Sequence, residues 1–572
     1  MTYFLPPTDT VASAARGLAL AHPGLIEVHL DPLYLRARSS NPDRTVALVA
    51  GGGSGHEPLH TGLLGPGGLD AVCPGEIFAS PHNRQIYEAG SAVAKTNGVL
   101  LIIKNYTGDV INFQIAAERL RHDGIPVATV LVEDDLATEN KHTATGRRGT
   151  AATVVVEKLL GAFADRGATL DDLATLGAEI VAHSHSLAVA ARAQTSPATG
   201  QPAFTLTSGT LEYGVGIHGE RGTGTIDHRA VDELVEQMTD DLLTALPAGQ
   251  DQVLAVVNGL GATTNLELHA IGSLLYDVLI ARGVWPLAIV PGTFTAALDM
   301  AGFSITLTRM KPEWIELWTA HADTPLVLPS LTLTADAAAS AVVQPASIQV
   351  STSTPVASSR AVLDRFAETT SQAHRNLTTL DQLVGDGDFG DNLIGGIRHA
   401  VARNASGTGS MTALSEAFLN DVGGTSGPLF GLLFQQLAAL SWPDDHAPDA
   451  LAVADAAASG LAVIHRVGGA EIGDCTLVDA LAPAIDILHA ARDATDSPFT
   501  RAAEAAVQGA LNTASLTPRR GRASYVGTRA IGVPDPGALG IALLFTALAH
   551  VYEPNTATRL PESADVTRYR IA

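Results

Sequence analysis

At 572 residues the chain is longer than one hydrophobic core organises, and with 46% hydrophobic and 16% charged residues it can fill more than one. A formal net charge of -24 argues against nucleic acid or an anionic membrane as partner, since both demand clustered Lys and Arg. The two cysteines, Cys73 and Cys475, form neither a disulfide framework nor a zinc pattern, which fits a reducing cytosol. The opening Met-Thr-Tyr-Phe-Leu-Pro-Pro lacks the basic-then-apolar pattern of a secretory signal. The most apolar late run, residues 538–549, is too short for a membrane span and reads as a buried helix. A soluble cytoplasmic protein is expected.

Over residues 1–330, short apolar runs alternate with helical stretches. Residues 45–50, 99–103, 127–132, 253–257 and 287–290 are rich in branched side chains and read as strands; 150–163 and 228–246 read as helices. That alternation predicts α/β layers with mostly parallel strands, in two subdomains of about 1–185 and 186–330, with the boundary inside 184–202. Residues 331–357 shift to Ala, Ser, Thr, Val and Pro with almost no charge and read as a linker, although 331–335 also suits an edge strand. From 358 to 572, the segments 360–383, 411–421, 429–440, 449–467, 475–492, 499–516 and 538–552 have helical spacing and predict an all-α domain.

The first strand-like run leads into Gly51-Gly-Gly-Ser-Gly-His-Glu-Pro58. Glycines directly after a strand expose backbone N–H groups to an anion or a polyol. No Lys-Ser/Thr follows, so this is not a Walker A loop. His56 is a site residue or a structural hydrogen-bonder. The run at 99–103 leads into Lys104-Asn-Tyr-Thr-Gly-Asp109, where Lys104 and Asp109 suit a site or a surface ion pair. In Leu211-Glu-Tyr-Gly-Val-Gly-Ile-His-Gly-Glu-Arg-Gly222, flanking glycines leave the His218 imidazole accessible, which a core histidine would not need. Arg147 and Arg148 serve a phosphate or are solvated.

In the second half, Leu380-Asp-Gln-Leu-Val-Gly-Asp-Gly-Asp-Phe-Gly-Asp-Asn392 crowds Asp381, Asp386 and Asp388 together. Carboxylates this close repel, and a hard divalent cation such as Mg²⁺ relieves the repulsion. A bare DGD is more often a solvated acidic turn, and the EF-hand Gly and Glu positions are missing.

GGGSGHEP, KNYTGD and the ExGxGIHGE block, in this order, resemble the sugar-binding domain of dihydroxyacetone kinases. The acidic stretch resembles the GDGDxG motif of their nucleotide-binding domain. The resemblance runs from Met1 to about Pro329 and from about Ser358 to the C-terminus. It implies two α/β subdomains followed by a helical-barrel ATP-binding domain. It also implies that His218 adds to the ketone carbon as a hemiaminal, a step that asks for neutral imidazole, largely available near pH 7. Asp109 would accept the proton of the attacking hydroxyl, His56 would act as acid/base partner, and Gly53 and Lys104 would hold sugar hydroxyls. Asp381, Asp386 and Asp388 would bind Mg²⁺ on the ATP phosphates. Gly424, Thr425 and Ser426 of the GGTSG loop would cradle those phosphates, while Gly473, Thr476 and Leu477 would lie near base and sugar. Arg522 is the expected phosphate cation. Asp535, with Gly537, either touches the nucleotide or caps the next helix. Phe389 and Cys475 depart from the family pattern, so no polar or cationic nucleotide contact is expected from either.

The expected activity is ATP- and Mg²⁺-dependent phosphorylation of dihydroxyacetone. ATP is the expected donor because both domains share one chain; the family's other form, in separate subunits, draws phosphate from a phosphotransferase relay. A homodimer with one chain's helical domain facing the other's sugar domain is also implied. Rival readings are an erythrulose kinase, FMN cyclase activity on FAD, and a non-catalytic sugar sensor.

Overall fold

Strand β3 (Ala47–Ser54) sits at the centre of the first sheet because its residues 47–50 are apolar on both faces and fully buried. It pairs in parallel with β4 (Ala71–Ile77) and β5 (Val99–Lys104), and β5 pairs in parallel with β6 (Val127–Val132). An antiparallel hairpin, β1 (Ile26–Leu30) and β2 (Leu33–Ala37), completes the order β1-β2-β4-β3-β5-β6. The computed structural model describes residues 3–6, 8–138, 146–249, 251–329, 332–335, 337–338, 360–385, 387–442, 446–491, 496–521 and 523–567. The chain divides into two units, Met1–Pro345 and Ala346–Ala572.

The second sheet has the order β11-β10-β12-β7-β8-β9. Its strands are β7 (Ser184–Arg192), β8 (Thr210–Tyr213), β9 (Gly224–Asp227), β10 (Gln252–Gly259), β11 (Trp285–Gly292) and β12 (Ala301–Arg309). Here the expectation of mostly parallel strands fails: β10 and β11 are parallel, and every other neighbouring pair is antiparallel. The stretch 184–202, read as a subdomain boundary, opens with β7, the first strand of this second sheet in chain order and a buried one. Residues 332–335 form no strand, yet the Leu333 N–H donates to Leu287 O (2.6 Å) along the edge at β11. The rest of the expected linker lies mostly outside the described residues.

One apolar core joins the two sheets. It contains Leu48, Ile102 and Val130 from the first, Leu254, Val256 and Val290 from the second, and Val154–Val156, Leu159 and Leu160 from the helix Ala152–Ala164 between them. That helix is apolar almost all round, as a helix buried on every side must be. Asp134 pins its start: the carboxylate accepts from the N–H groups of Thr150 (2.6 Å) and Ala152 (3.0 Å) and from the hydroxyls of Thr150 and Ser186. Arg44, fully buried, ties the far end by ion pairs to Asp70 (2.8 Å) and Asp165 (2.6 Å) and by a hydrogen bond to Gly161 O.

The second unit is helical. Its organising element is Pro536–Tyr552, whose residues 538–549 are all buried and which packs among Arg360–Val384, Val478–His489 and Pro498–Asn512. Gly540 permits the close approach of Phe430 and Phe389, whose ring atoms would lie 2.9 and 3.1 Å from a Cβ there. Ala450–Gly468 is long and apolar enough to cross a membrane, yet it places Val453, Ala454, Ala457 and Ile464 in the bundle core. Phe389–Ala405, which sequence periodicity did not suggest, is also a helix.

Candidate active site

The glycine run at the end of β3 delivers His56 into a wholly buried position, stacked on Phe78 with ring centroids 5.1 Å apart. Its Nδ1 lies 2.7 Å from Ala296 O, so Nδ1 carries the hydrogen and donates it. Its Nε2 lies 3.1 Å from Nε2 of His218, which comes from the loop after β8. The two candidates drawn from motifs 162 residues apart are thus in direct contact.

The His218 ring stands edge-on to Tyr106 (4.5 Å) and Phe78 (5.4 Å). Its Nδ1 is 3.1 Å from Glu220 Oε1, and its backbone N–H donates to Glu220 Oε2 (3.0 Å). Arg148 stands behind that carboxylate, with Nη1 3.8 Å from Oε2, and is itself paired with Asp135 at 2.6 Å. Gly216 leaves room for this pair: a Cβ there would lie 2.1 Å from Glu220 Oε2 and 2.3 Å from Arg148 Nη1 and would displace one or both. Burial alone would raise the Glu220 carboxyl. The hydrogen bond and charge of His218, with Arg148 nearby, overcome that effect and hold it at about 2.

Lys104, the last residue of β5, and Asp109, in the first turn of the helix Thr107–His122, are 1% and 3% exposed. The Lys104 ammonium and Asp109 Oδ1 find no hydrogen-bond partner among the described residues. Buried polar groups are rarely left so, and an unpartnered pair points to a polar ligand. Burial lowers the Lys104 pKa, with Asp109 and Glu157 opposing, and raises that of Asp109, with Lys104 opposing. Burial, then the charges of Lys104 and His218, drives His56 well below the ordinary histidine range. The glycines fit this crowding: a Cβ on Gly52 would lie 2.9 Å from Lys104 Nζ, and one on Gly53 2.9 Å from Ala79 N.

In the helical unit, a cavity of about 190 Å³ is lined by Asp381, Asp388, Thr425, Ser426, Thr476, Leu477, Asp535 and Gly537, all singled out from sequence. Ser426 opens the helix Ser426–Leu437, so N–H groups of its first turn are free of helical partners, and Gly424 before it has φ +76°. A Cβ on Gly424 would lie 4.0 Å from Asp388 Oδ2, which sets the loop against the acidic stretch. Asp535 caps the following helix, accepting from Ala538 N–H (2.7 Å), and it also lines the cavity. Burial, with Asp479 and Asp381 nearby, pushes its carboxyl up to about 7. Phe389 and Cys475 also line the cavity as apolar wall; burial raises the Cys475 thiol to about 12. Gly473 stands off the lining and donates its N–H to Asp479 Oδ1 (2.5 Å).

Asp386 and Arg522 lie outside the described residues. Among the described residues no three His, Cys, Asp or Glu side chains converge as a metal cluster. The donor set still fits a hard cation: burial and then the like charge of Asp381 raise the Asp388 carboxyl, a repulsion a divalent ion would relieve.

Sequence reasoning missed Glu220, Asp479 and Arg520. Asp479 folds the loop before Val478–His489 by accepting from Gly473 and Thr476 N–H. Arg520 lines the cavity two residues before the arginine named from the motif. Arg148 is neither solvated nor placed for an external phosphate; it belongs to the Glu220–Asp135 network.

Comparison with known proteins bears on both units. Residues 16–326 match the Dak1 domain and residues 383–550 the DAK2 domain. An L-erythrulose 1-kinase of Mycolicibacterium smegmatis is 35% identical over 573 residues, covering 96% of this chain and 99% of that protein. A triokinase/FMN cyclase of Rattus norvegicus is 33% identical, covering 95% and 97%. The crystal structure of the C. freundii dihydroxyacetone kinase in complex with AMP-PNP and Mg²⁺ aligns with a TM-score of 0.58 at 31% identity, over 96% of this chain and 99% of that one.

Proposed function

Since the chain belongs to the dihydroxyacetone kinase family, in the form with both domains on one polypeptide, we propose that it transfers the terminal phosphoryl group of ATP to a hydroxyl of a small ketose. The observation that carries the reading is the His56–His218 contact beside the unpartnered Lys104 ammonium and Asp109 oxygen. The sugar step is assigned to about residues 1–330 and the nucleotide step to 358–572.

In this reading His218 Nε2 bonds to the ketone carbon, since its Nδ1 is already engaged by Glu220. A ketone or aldehyde forms that bond and a polyol such as glycerol does not, so chemistry as well as shape selects the substrate. His56, in contact with the same nitrogen, handles the proton. Lys104 and the N–H groups beside Gly53 hold the remaining hydroxyls. Asp109 takes the proton of the hydroxyl that attacks phosphorus, a role its raised pKa favours. On the other unit Thr425, Ser426 and the first-turn N–H groups orient the phosphates. Asp381 and Asp388, with Asp386, would hold Mg²⁺, which would supply neutralisation of phosphate charge. The two reacting groups belong to different units, so transfer requires domain docking, within one chain or between the two copies of a homodimer.

Carbon number is the open variable. Dihydroxyacetone is the simplest substrate; the extent of the match to a protein named L-erythrulose 1-kinase supports a four-carbon ketose as the second reading. Steady-state assays of the purified protein with Mg·ATP and dihydroxyacetone, D- and L-erythrulose, glyceraldehyde and glycerol test both. Phosphorylation of a ketose and none of glycerol is expected. Turnover of glycerol at a comparable rate would remove the covalent selection, and turnover of none would remove the kinase reading.

A further inference from the structure

We infer that Glu220 is the positioning residue of the ketone adduct: it fixes the hydrogen on His218 Nδ1, aims Nε2 at the carbonyl carbon, and remains as counter-ion of the cationic ring that the addition leaves. The inference deepens the proposed hemiaminal chemistry and rests on it.

The argument is hydrogen bookkeeping around two rings. An ionised carboxylate only accepts, so His218 Nδ1, 3.1 Å from Glu220 Oε1, carries a hydrogen. On the other side His56 spends its Nδ1–H on Ala296 O and aims the Nε2 lone pair at His218 Nε2, 3.1 Å away. Two lone pairs do not face each other at that distance, so a proton lies between them. His56 is wholly buried beside Lys104, where a second cation is disfavoured, so the proton rests on His218. Nε2 of the nucleophile is thus engaged with His56 before the substrate arrives.

The addition then balances through His56. As Nε2 bonds to the carbonyl carbon, its proton passes to His56 Nε2 and the π pair of the C=O moves onto oxygen. His56 returns the proton to that oxygen and ends as it began. One C–N and one O–H bond form; one N–H and one C=O π bond break. The ring keeps its Nδ1–H and one positive charge, next to Glu220. The groups around it are accounted for: Tyr106, Phe78 and His56 pack on the ring, Glu220 faces Nδ1, Arg148 and Asp135 stand behind Glu220, and the Asp109 charge also reaches His218. Arg148, anchored on Asp135, keeps the carboxylate from swinging away, and Gly216 leaves the room for both.

The test uses the full chain without ATP, as wild type, Glu220→Gln and Glu220→Asp, with [2-¹³C]dihydroxyacetone and ¹⁵N-labelled histidine. In the wild type, a protein-bound tetrahedral carbon should appear, with the adducted ring still protonated at Nδ1 above neutral pH. In Glu220→Gln, adduct affinity should fall about tenfold to a hundredfold, the worth of a charge-assisted hydrogen bond. The Nδ1 hydrogen should also titrate off about one pH unit or more lower, because an amide does not favour the cation. Glu220→Asp should restore part of both, and it is the variant to read if the Gln protein does not fold. Unchanged affinity and an unchanged Nδ1 titration would overturn the inference, as would lost affinity with an unmoved titration, which marks a merely structural contact. A wild type with no adduct at all would instead overturn the hemiaminal itself, and this inference with it.

Discussion

Lys104→Met separates what the site costs the fold from what it gives the reaction. Lys104 is 1% exposed, its ammonium makes no hydrogen bond among the described residues, and burial depresses its pKa despite Asp109 and Glu157 nearby. An unpartnered buried ammonium carries a desolvation penalty of several kcal/mol that an apolar side chain of similar length does not incur. Part of that gain is offset here because Asp109 and Glu157 lose a positive neighbour, so about 1–2 kcal/mol is expected. For a unit spanning Met1–Pro345 the gain corresponds to a Tm rise of about 1–3 °C. The pH dependence has a definite sign. A lysine whose folded pKa lies below its unfolded one binds fewer protons in the native state, so wild-type stability rises with pH through that window. The variant should lack the rise, and its advantage should be largest below the window. Calorimetry from pH 6 to 10 with sugar-binding titrations at pH 7 reads both effects. Higher Tm with sugar affinity reduced at least tenfold is the expected pair. A variant destabilised by more than ~1 kcal/mol would refute the reasoning, because Lys104 would then be a structural ion-pair partner and not a group held open for ligand.

Arg44→Ala should behave in the opposite way. It removes the 2.8 Å guanidinium partner of buried Asp70, leaving Lys95 at 3.7 Å, and should lower stability by about 3 kcal/mol, read by urea unfolding, while residual folded protein still forms the sugar adduct. Asp388→Asn should raise the KM for Mg·ATP at least tenfold and leave adduct formation by ¹³C NMR unchanged; loss of both would contradict the assignment of the two steps to different units. Asp109 must be ionised to accept a proton, and its pKa is raised, so kcat should fall with decreasing pH through a limb above the ordinary carboxylate range. An acid limb at the unperturbed value would show that another group limits the rate.

The parts of the site that sequence revealed were those carried by one short stretch. A strand running into a glycine loop delivered His56, and β5 running into the helix Thr107–His122 delivered Lys104 and Asp109, because residue order alone fixes such junctions. In the helical unit, motif residues did converge on one cavity, Thr425 with Thr476 and Asp535. What stayed hidden depends on contacts between distant segments. Arg148 meets Glu220 from a separate loop, and His60 meets buried Glu157 (2.5 Å); no local pattern announces either pair. The helix Phe389–Ala405 escaped notice because Gly390, Gly395 and Gly396 lower helix propensity. Two of them are packing devices: a Cβ on Gly390 would strike Thr378 Oγ1 at 2.3 Å and one on Gly396 the Phe418 ring at 2.7 Å. The antiparallel half of the second sheet was missed for a related reason. Strands such as β12 find neighbours far along the chain, and pairing direction is set by topology, not by composition.

The most direct measurement is a crystal structure of the protein soaked with dihydroxyacetone. Density continuous from the former carbonyl carbon to His218 Nε2, with tetrahedral geometry and Nδ1 still on Glu220, is the predicted result. A planar ketone lying unbonded beside the ring, or a bond to any other residue, would contradict it.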